Sequence, residues 1–403
     1  MSDALPEHLE EFRLTARAWL ARHEDAFGAP ARAGLSEAED LALGRRWMAK
    51  KHDAGFAGIG WPAEFGGRGL SALHQGVFAQ EEHGFGFPIL YFSISLGMPV
   101  PIMMHYAPRE VSRAFTVPAL RGEHIWAQMF SEPGAGSDLA AVRTSAKGDG
   151  SDWIVTGQKL WTSWAQYADY AVLVARSDPT LPKHQGLTYF WLDMRSPGVS
   201  VRPIRLIDGS RDVNEVFLDD VRIPDSQRLG GIGEGFKVAM HTLFIERYAA
   251  AADETGYGPP LAKFIDTARS ARFAGRPAIE DGRVRHAIGS AFRLQQGLVT
   301  LRSKAFLEAA AGVEPGPEGA IQKLVSIRAR QRLSELAVDL CGAEATYHAD
   351  DKPKDHWVAS LLAAPAGRIA GGTDEMLLNT IAEKVLGLPQ DHRPDKGIPF
   401  DRT

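Results

Sequence analysis

Glu246 and Arg247 sit side by side in a stretch that is otherwise apolar, among Val238, Met240, Leu243, Phe244, Ile245 and Tyr248, with a run of alanines behind them. A helix over 236–252 built from these residues is apolar on nearly every side. That is the pattern of a buried helix, where ionised side chains are rare without a partner or a purpose. Residues at i and i+1 do not face one another on a helix, so the two are not simply each other's salt bridge. Desolvation would raise the Glu246 carboxyl toward the range useful for a general base. A buried ion pair with some other helix is the alternative for the same residues.

A second constellation lies upstream. In Gln128–Asp138 (QMFSEPGAGSD), Pro133 fixes one backbone angle, and Gly134 and Gly136 are free to adopt positive φ. Such a turn can aim several backbone N–H groups at one ligand, which suits a flat polar ring or a phosphate. About two dozen residues on, Trp161, Thr162 and Ser163 put a large π-face beside two hydroxyls. Turn and indole together could sandwich and hydrogen-bond an aromatic cofactor.

Composition excludes several classes. At 403 residues the chain can bury a large core, and its 44% hydrophobic and 24% charged content is that of a folded globular protein. A net charge of −5 gives no general attraction for nucleic acid, and no apolar run reaches membrane-spanning length. The single cysteine, Cys341, allows no disulfide framework and suits a reducing compartment. The first residues carry neither a basic n-region nor a hydrophobic signal core, so the expectation is a cytoplasmic protein. The histidines are scattered without metal spacing, and no Gly-x-Ser-x-Gly elbow, Gly-Lys-Thr loop or strand-borne Gly-x-Gly-x-x-Gly occurs.

The elements that must position these residues fall into three regimes. Residues 1–124 read as a helical domain, with Leu9, Phe12, Ala16, Trp19 and Leu20 on one face and a capping box at Ser36 and Glu39. Residues 125–235 read as a middle β-domain, a small barrel or sandwich, with strands at Trp153–Thr156, Tyr170–Ala175, Leu187–Asp193, Val199–Ile204 and Val213–Leu218. Residues 236–403 read as a C-terminal four-helix bundle, with long helices over 284–312 and 318–341. The fold class is therefore α+β and multidomain.

The Gln128–Asp138 turn followed by Trp161-Thr162-Ser163 resembles the flavin-binding elements of the acyl-CoA dehydrogenase family. The segments 61–69 (WPAEFGGRG), 220–224 (DVRIP), 371–375 (GGTDE) and 381–389 (IAEKVLGLP) are similar to further signatures of that family, and the resemblance covers nearly the whole chain. It implies FAD as cofactor and α,β-desaturation of an acyl-CoA: a carboxylate removes the α-proton while the β-hydride passes to flavin N5. Gln128, Phe130 and Ser131 would border the flavin pyrimidine, and Gly136 and Ser137 would follow, Ser137 also near the coenzyme A arm. Trp161 would cover the isoalloxazine, with Thr162 and Ser163 beside it and Ser163 near N5. Thr373 and Glu375 would touch the dinucleotide portion. The resemblance further implies an electron-transfer flavoprotein as electron acceptor and a homodimer or homotetramer, with a heterotetramer as the other option.

The chain departs from the family where it matters. Many members carry the catalytic glutamate immediately before the Gly-Thr of the 371–375 motif, and here that position is Gly371, which has no side chain to act as a base. Other branches place the glutamate directly before an arginine on the first helix of the C-terminal domain, which points to Glu246, with Arg247 and Phe244 near the substrate. Arg272 and Phe273 stand in for an arginine and phenylalanine that reach a neighbouring subunit's FAD. Two other readings stay open: a flavin monooxygenase of the same fold, and a non-catalytic subunit of a heteromeric dehydrogenase. Gly371 removes bulk near the α-carbon, which would admit a branched, aromatic or polycyclic acyl group.

Overall fold

The computed structural model describes residues 6–252, 261–273, 275–310, 313, 316–342 and 357–402, with side chains left undescribed at 246–252, 306, 309 and 310. The polar loop 348–356 lies outside the described residues. Contacts divide the chain into two units. One holds the residues up to Arg205, Arg211–Ala249 and the tail from His392; the other holds Leu206–Ser210 and Ala250–Asp391.

In the first unit, six helices precede the sheet: Glu7–Ala21, Glu37–Asp53, Ala72–His83, Leu90–Gly97, Pro99–Tyr106 and Arg109–Leu120, with two single-turn helices between the first and second. Ser36 and Glu39 form the expected capping box. Trp47 is fully buried and stacks on Phe87 with ring centres 3.9 Å apart, in a cluster with Phe56 and Phe78.

Seven strands follow: β1 Trp126–Met129, β2 Ser145–Asp149, β3 Asp152–Ser163, β4 Tyr170–Arg176, β5 Leu187–Asp193, β6 Val199–Ile204 and β7 Val213–Pro224. They make one mixed sheet in the order β1-β4-β2-β3-β7-β6, with β5 also on β4. β1 runs parallel to β4, and β2 meets β4 in parallel only at Ser145 and Arg176. β4 is buried from Ala171 to Arg176, which is why it reads as a continuous apolar run instead of an alternating one. β5 and β6 keep the limits expected from sequence, whereas β3 and β7 run several residues longer, and β1 and β2 went unrecognised.

The first helix after the sheet, Gly235–Ala252, lays Phe236, Val238, Ala239, Leu243 and Ile245 against the apolar cluster of β1, β4 and β5. It is not apolar-buried on every side as the sequence suggested. Met240 and Phe244, one turn apart, are 39% and 42% exposed. Through Ala249 it belongs to the first unit.

The second unit contains the helices Leu261–Ser270, Gly282–Ala310, Gly319–Cys341 and Trp357–Gly367, which form the C-terminal helical bundle, and a short helix Asp374–Thr380. Leu261, Phe264, Ala337 and Trp357 make its core, and Trp357 Nε1 donates to Thr267 Oγ1 at 2.8 Å. Among the described residues no helix is long and apolar enough to cross a membrane.

β1 is an edge strand, and its free edge is closed by one side chain. Ser95 Oγ accepts from Trp126 N–H at 2.8 Å and donates to the Trp126 carbonyl at 3.3 Å, all of it buried. Ser95→Ala would strand both backbone groups, and each unsatisfied buried group costs about 1–3 kcal/mol. Urea unfolding of Ser95→Ala should show at least that loss, whereas an unchanged midpoint would mean that β1 is held without Ser95.

Candidate active site

The Gln128–Asp138 turn rises directly from β1. Glu132 and Ala135 exchange backbone hydrogen bonds of 2.9 and 3.1 Å around Pro133-Gly134, and Leu160 N–H donates to the Ser131 carbonyl at 2.8 Å, fastening the turn to β3. The glycines are not there for left-handed backbone: neither Gly134 nor Gly136 has positive φ. Nothing lies within 4 Å of where a Cβ would stand on either one, so within the chain their bareness leaves an open face to the turn.

Beneath the turn lies an ion pair that the sequence reading missed. Lys159 is fully buried, and its Nζ donates to Glu132 Oε1 at 2.8 Å, the Phe130 carbonyl at 3.1 Å and the Val174 carbonyl at 2.8 Å. All three ammonium protons therefore have acceptors. Glu132 in turn accepts from the N–H groups of Arg143 (2.6 Å) and Thr144 (2.9 Å), closing the chain back on itself beyond the turn. Burial pushes the Lys159 ammonium down to about 8 against the pull of Glu132. Burial alone would raise the Glu132 carboxyl, but Lys159 and the hydrogen bonds outweigh it and hold it below 4.5. Gly157 is obligatory for this arrangement: a Cβ there would stand 2.4 Å from Thr144 Oγ1 and 2.7 Å from its Cα.

Past Lys159 the pairing of β3 with β7 slips, and Leu160 and Trp161 form a bulge before Thr162 pairs with Asn214. Trp161 takes φ +61° there and stands 53% exposed. A left-handed bulky residue stores about 1–3 kcal/mol of strain, and bulges re-aim side chains beside functional sites. Thr162, only 1% exposed, has its carbonyl held by Asn214 Nδ2 at 2.9 Å, but its Oγ1 is buried without a protein partner. The same is true of Gln128 Nε2 on β1.

Gln128, Ser131, Gly136 and Ser137 thus lie on β1 and its turn, and Trp161, Thr162 and Ser163 at the end of β3, with the Leu160–Ser131 hydrogen bond joining the two segments. The Phe130 side chain is 6% exposed and meets the Tyr189 ring edge-on at 5.8 Å, so it serves the core and leaves only its backbone to the turn. Phe244 stands on the exposed face of its helix. Glu246 and Arg247 lie on the same helix, and their side chains fall outside the described residues.

In the second unit, Gly371 and Gly372 take φ +62° and +103°. Lys323 Nζ grips the carbonyls of Ala370 and Gly372. Thr373 caps the helix Asp374–Thr380, its Oγ1 accepting from Met376 N–H at 3.2 Å, and Glu375 is exposed in the first turn. Asp374, between them, is 3% exposed and is held by Arg328 (3.1 Å) and Arg368 (2.6 Å). Arg272 is exposed on a two-residue hairpin with Arg276-Pro277.

Comparison with known proteins identifies the family. The chain matches the acyl-CoA dehydrogenase N-terminal domain over residues 6–123, the middle domain over 127–221 and the C-terminal domain over 233–386. It is 34% identical over 396 residues to acyl-CoA dehydrogenase IpdE1 of Mycobacterium tuberculosis, covering 96% of this chain and 99% of that protein. It is also 35% identical over 358 residues to acyl-CoA dehydrogenase FadE34 of the same organism, covering 89% of this chain and 48% of that one. Among solved structures it superposes on the Tcur3481-Tcur3483 steroid ACAD (TM-score 0.78, 25% identity, 97% of this chain and all of that one). It superposes equally on the ChsE4-ChsE5 complex from Mycobacterium tuberculosis (TM-score 0.78, 26% identity, 97% of this chain and all of that one). The chain belongs to the acyl-CoA dehydrogenase family.

Breaking a buried ion pair by removing one partner costs about 3–5 kcal/mol. Lys159→Met should lose that much at neutral pH. Because the folded Glu132 pKa is depressed, its stabilising contribution is complete above 4.5 and is lost as pH falls through the folded value. The gap between wild type and Lys159→Met in denaturant unfolding should therefore narrow below pH 4.5. A gap independent of pH would show that the pair is not its source.

Proposed function

We propose that the protein is an FAD-dependent acyl-CoA dehydrogenase, converting an acyl-CoA thioester to the trans-2-enoyl-CoA. The observation that carries this reading is the Trp161 ring, 53% exposed and held at φ +61° by the β3 bulge, with the open turn from β1 fastened to the adjacent Leu160. Strain kept at an exposed aromatic residue is a mark of a functional site. A flat heteroaromatic ring gives the indole a surface to cover. Open space at Gly134 and Gly136 lets backbone approach the same ligand.

Bound FAD would supply the acceptor for the two electrons that leave the β-carbon as hydride. The chain's own residues do the rest. Glu246 takes the α-proton, with Phe244 and Arg247 on the same helix beside the thioester, and Ser137 extends the turn toward the coenzyme A arm. Thr373 and Glu375 contact the dinucleotide part, Arg272 reaches the FAD of a neighbouring subunit, and Gly371 leaves room beside the α-carbon for a branched, aromatic or polycyclic acyl group. Electrons pass on to an electron-transfer flavoprotein. The single cysteine fits a cytoplasmic setting.

Gly371 also favours a second reading, in which the protein works with a second, related chain. The two structures compared above carry paired names, Tcur3481-Tcur3483 and ChsE4-ChsE5. Here, Phe292, Val299 and Leu307 are 55%, 43% and 67% exposed along the helix Gly282–Ala310, a face suited to subunit contact.

Two measurements test the proposal. Trp161→Gly should not lower apoprotein stability, because glycine takes φ +61° without strain, and should weaken FAD binding about threefold to tenfold for the lost ring contact. Unaltered FAD affinity would place the flavin elsewhere. In anaerobic mixing with a panel of acyl-CoAs, bleaching of the flavin supports dehydrogenation, and Glu246→Gln should slow it about 10²–10⁴-fold. Full bleaching by Glu246→Gln would remove Glu246 as the base, and flavin binding only after a partner chain is added would favour the second reading.

A further inference from the structure

The loop between β4 and β5, residues 177–186, touches both the ligand-facing turn and the C-terminal segment 392–402. The segment lies against the loop as a short antiparallel bridge, Pro182 opposite Pro399. Phe400 N–H donates to the Leu181 carbonyl and Asp401 N–H to that of Pro179, each at 3.0 Å. The segment is tied to the loop at several points.

Two of the ties lead to the turn. The Phe400 ring covers the Arg176 guanidinium at 3.9 Å from its centre. Arg176 is 5% exposed, and its guanidinium donates to the carbonyls of Ala140, Val142 and Lys183. Phe400 thus caps the side chain that fastens the residues just beyond the turn to the loop. Lys183, from the loop, stands between two carboxylates: it donates to Asp138 Oδ2 at 2.7 Å, at the end of the turn, and pairs with Asp395 of the segment. Burial works against the Lys183 ammonium, but the two carboxylates more than offset it and raise its pKa. The loop also reaches the helix bearing Glu246, because the His184 ring meets Phe236 edge-on at 4.7 Å.

We propose that the C-terminal segment 392–402 is a strap that fixes the turn 131–138 in its ligand-binding shape, with Lys183 and Phe400 as its positioning residues. One isolated surface ion pair would add little. Here an aromatic cap, a backbone bridge and a shared ammonium act on the same short stretch, and what they secure is the order of a binding turn. Pre-ordering such a turn raises affinity by lowering the entropic cost of binding. The function assigned to the strap rests on the reading that this turn receives flavin and thioester.

The test compares the full chain with Phe400→Ala, Asp395→Asn, Lys183→Ala, Lys183→Arg and a chain ending at Asp391. Amide hydrogen exchange without added ligand should be about tenfold faster at 131–142 in Phe400→Ala, Lys183→Ala and the truncated chain, and unchanged in β6 and β7. FAD affinity should fall, and KM for the acyl-CoA that bleaches the wild type should rise, each about tenfold, with kcat little altered. Lys183→Arg should recover most of both, and Asp395→Asn should show a smaller change in the same direction. If the truncated chain does not fold, the point variants decide. Unchanged exchange at 131–142 overturns the strap, as does a lower KM on truncation, which would make Asp395 a competitor of the substrate's phosphates. Wild-type protein that binds no flavin, with the exchange result as expected, would instead overturn the assigned function of the site and leave the strap standing as a structural tie.

Discussion

The Lys159–Glu132 pair is the constraint on which the rest of the site depends. A fully buried ammonium is tolerable only when every proton finds an acceptor, and here the acceptors come from β4, from the end of β1 and from the carboxylate that starts the turn. Glu132 passes the constraint on by holding two N–H groups at Arg143 and Thr144. One charge pair thereby fixes the relative positions of three segments that are distant in sequence. An apolar pair of similar volume would pack as well, but it could not satisfy those carbonyls and N–H groups. The pair therefore specifies geometry more than it contributes stability.

Above that strut the chain is arranged in the opposite way. Gly134 and Gly136 leave the turn open, and Trp161 is held left-handed and outward. The strain at Trp161 persists because the layer beneath is over-determined, so the local cost is absorbed there. A ligand bound to that face would stabilise the folded state by mass action. Rigid support below and an open, strained face above are two halves of one design.

Much of this was legible in the sequence, and the failures have physical causes. The limits of β5 and β6 and the Ser36–Glu39 capping box came through because periodicity and cap chemistry are local. β1 and β2 did not, since strands of four and five residues carry too little alternation to stand out. Lys159 was within reach. It shares parity with Trp153 and Val155, which face inward on β3, so a buried lysine needing a carboxylate was readable from the strand pattern. The bulge that follows was not, because it depends on how β3 meets β7. Glycine content did not locate the strained backbone: Gly134 and Gly136, free to adopt positive φ, do not, and the left-handed residue is Trp161, where no propensity would place it. The exposure of Met240 and Phe244 was invisible because composition records only that a helix is apolar, not which side finds a partner.

The conformation at Gly371 is built into its loop. A residue other than glycine at φ +62° carries a penalty of about 1–2 kcal/mol, and Gly372 beside it is left-handed as well. Lys323 holds the flanking carbonyls, and Asp374, gripped by two arginines, anchors the start of the next helix. The loop is therefore firmly built in a shape that suits glycine and disfavours a side chain at that position. The bare position at 371 is thus part of the local architecture. The helix Gly235–Ala252, on which Glu246 lies, packs Val238, Ala239, Leu243 and Ile245 on the sheet that carries the turn.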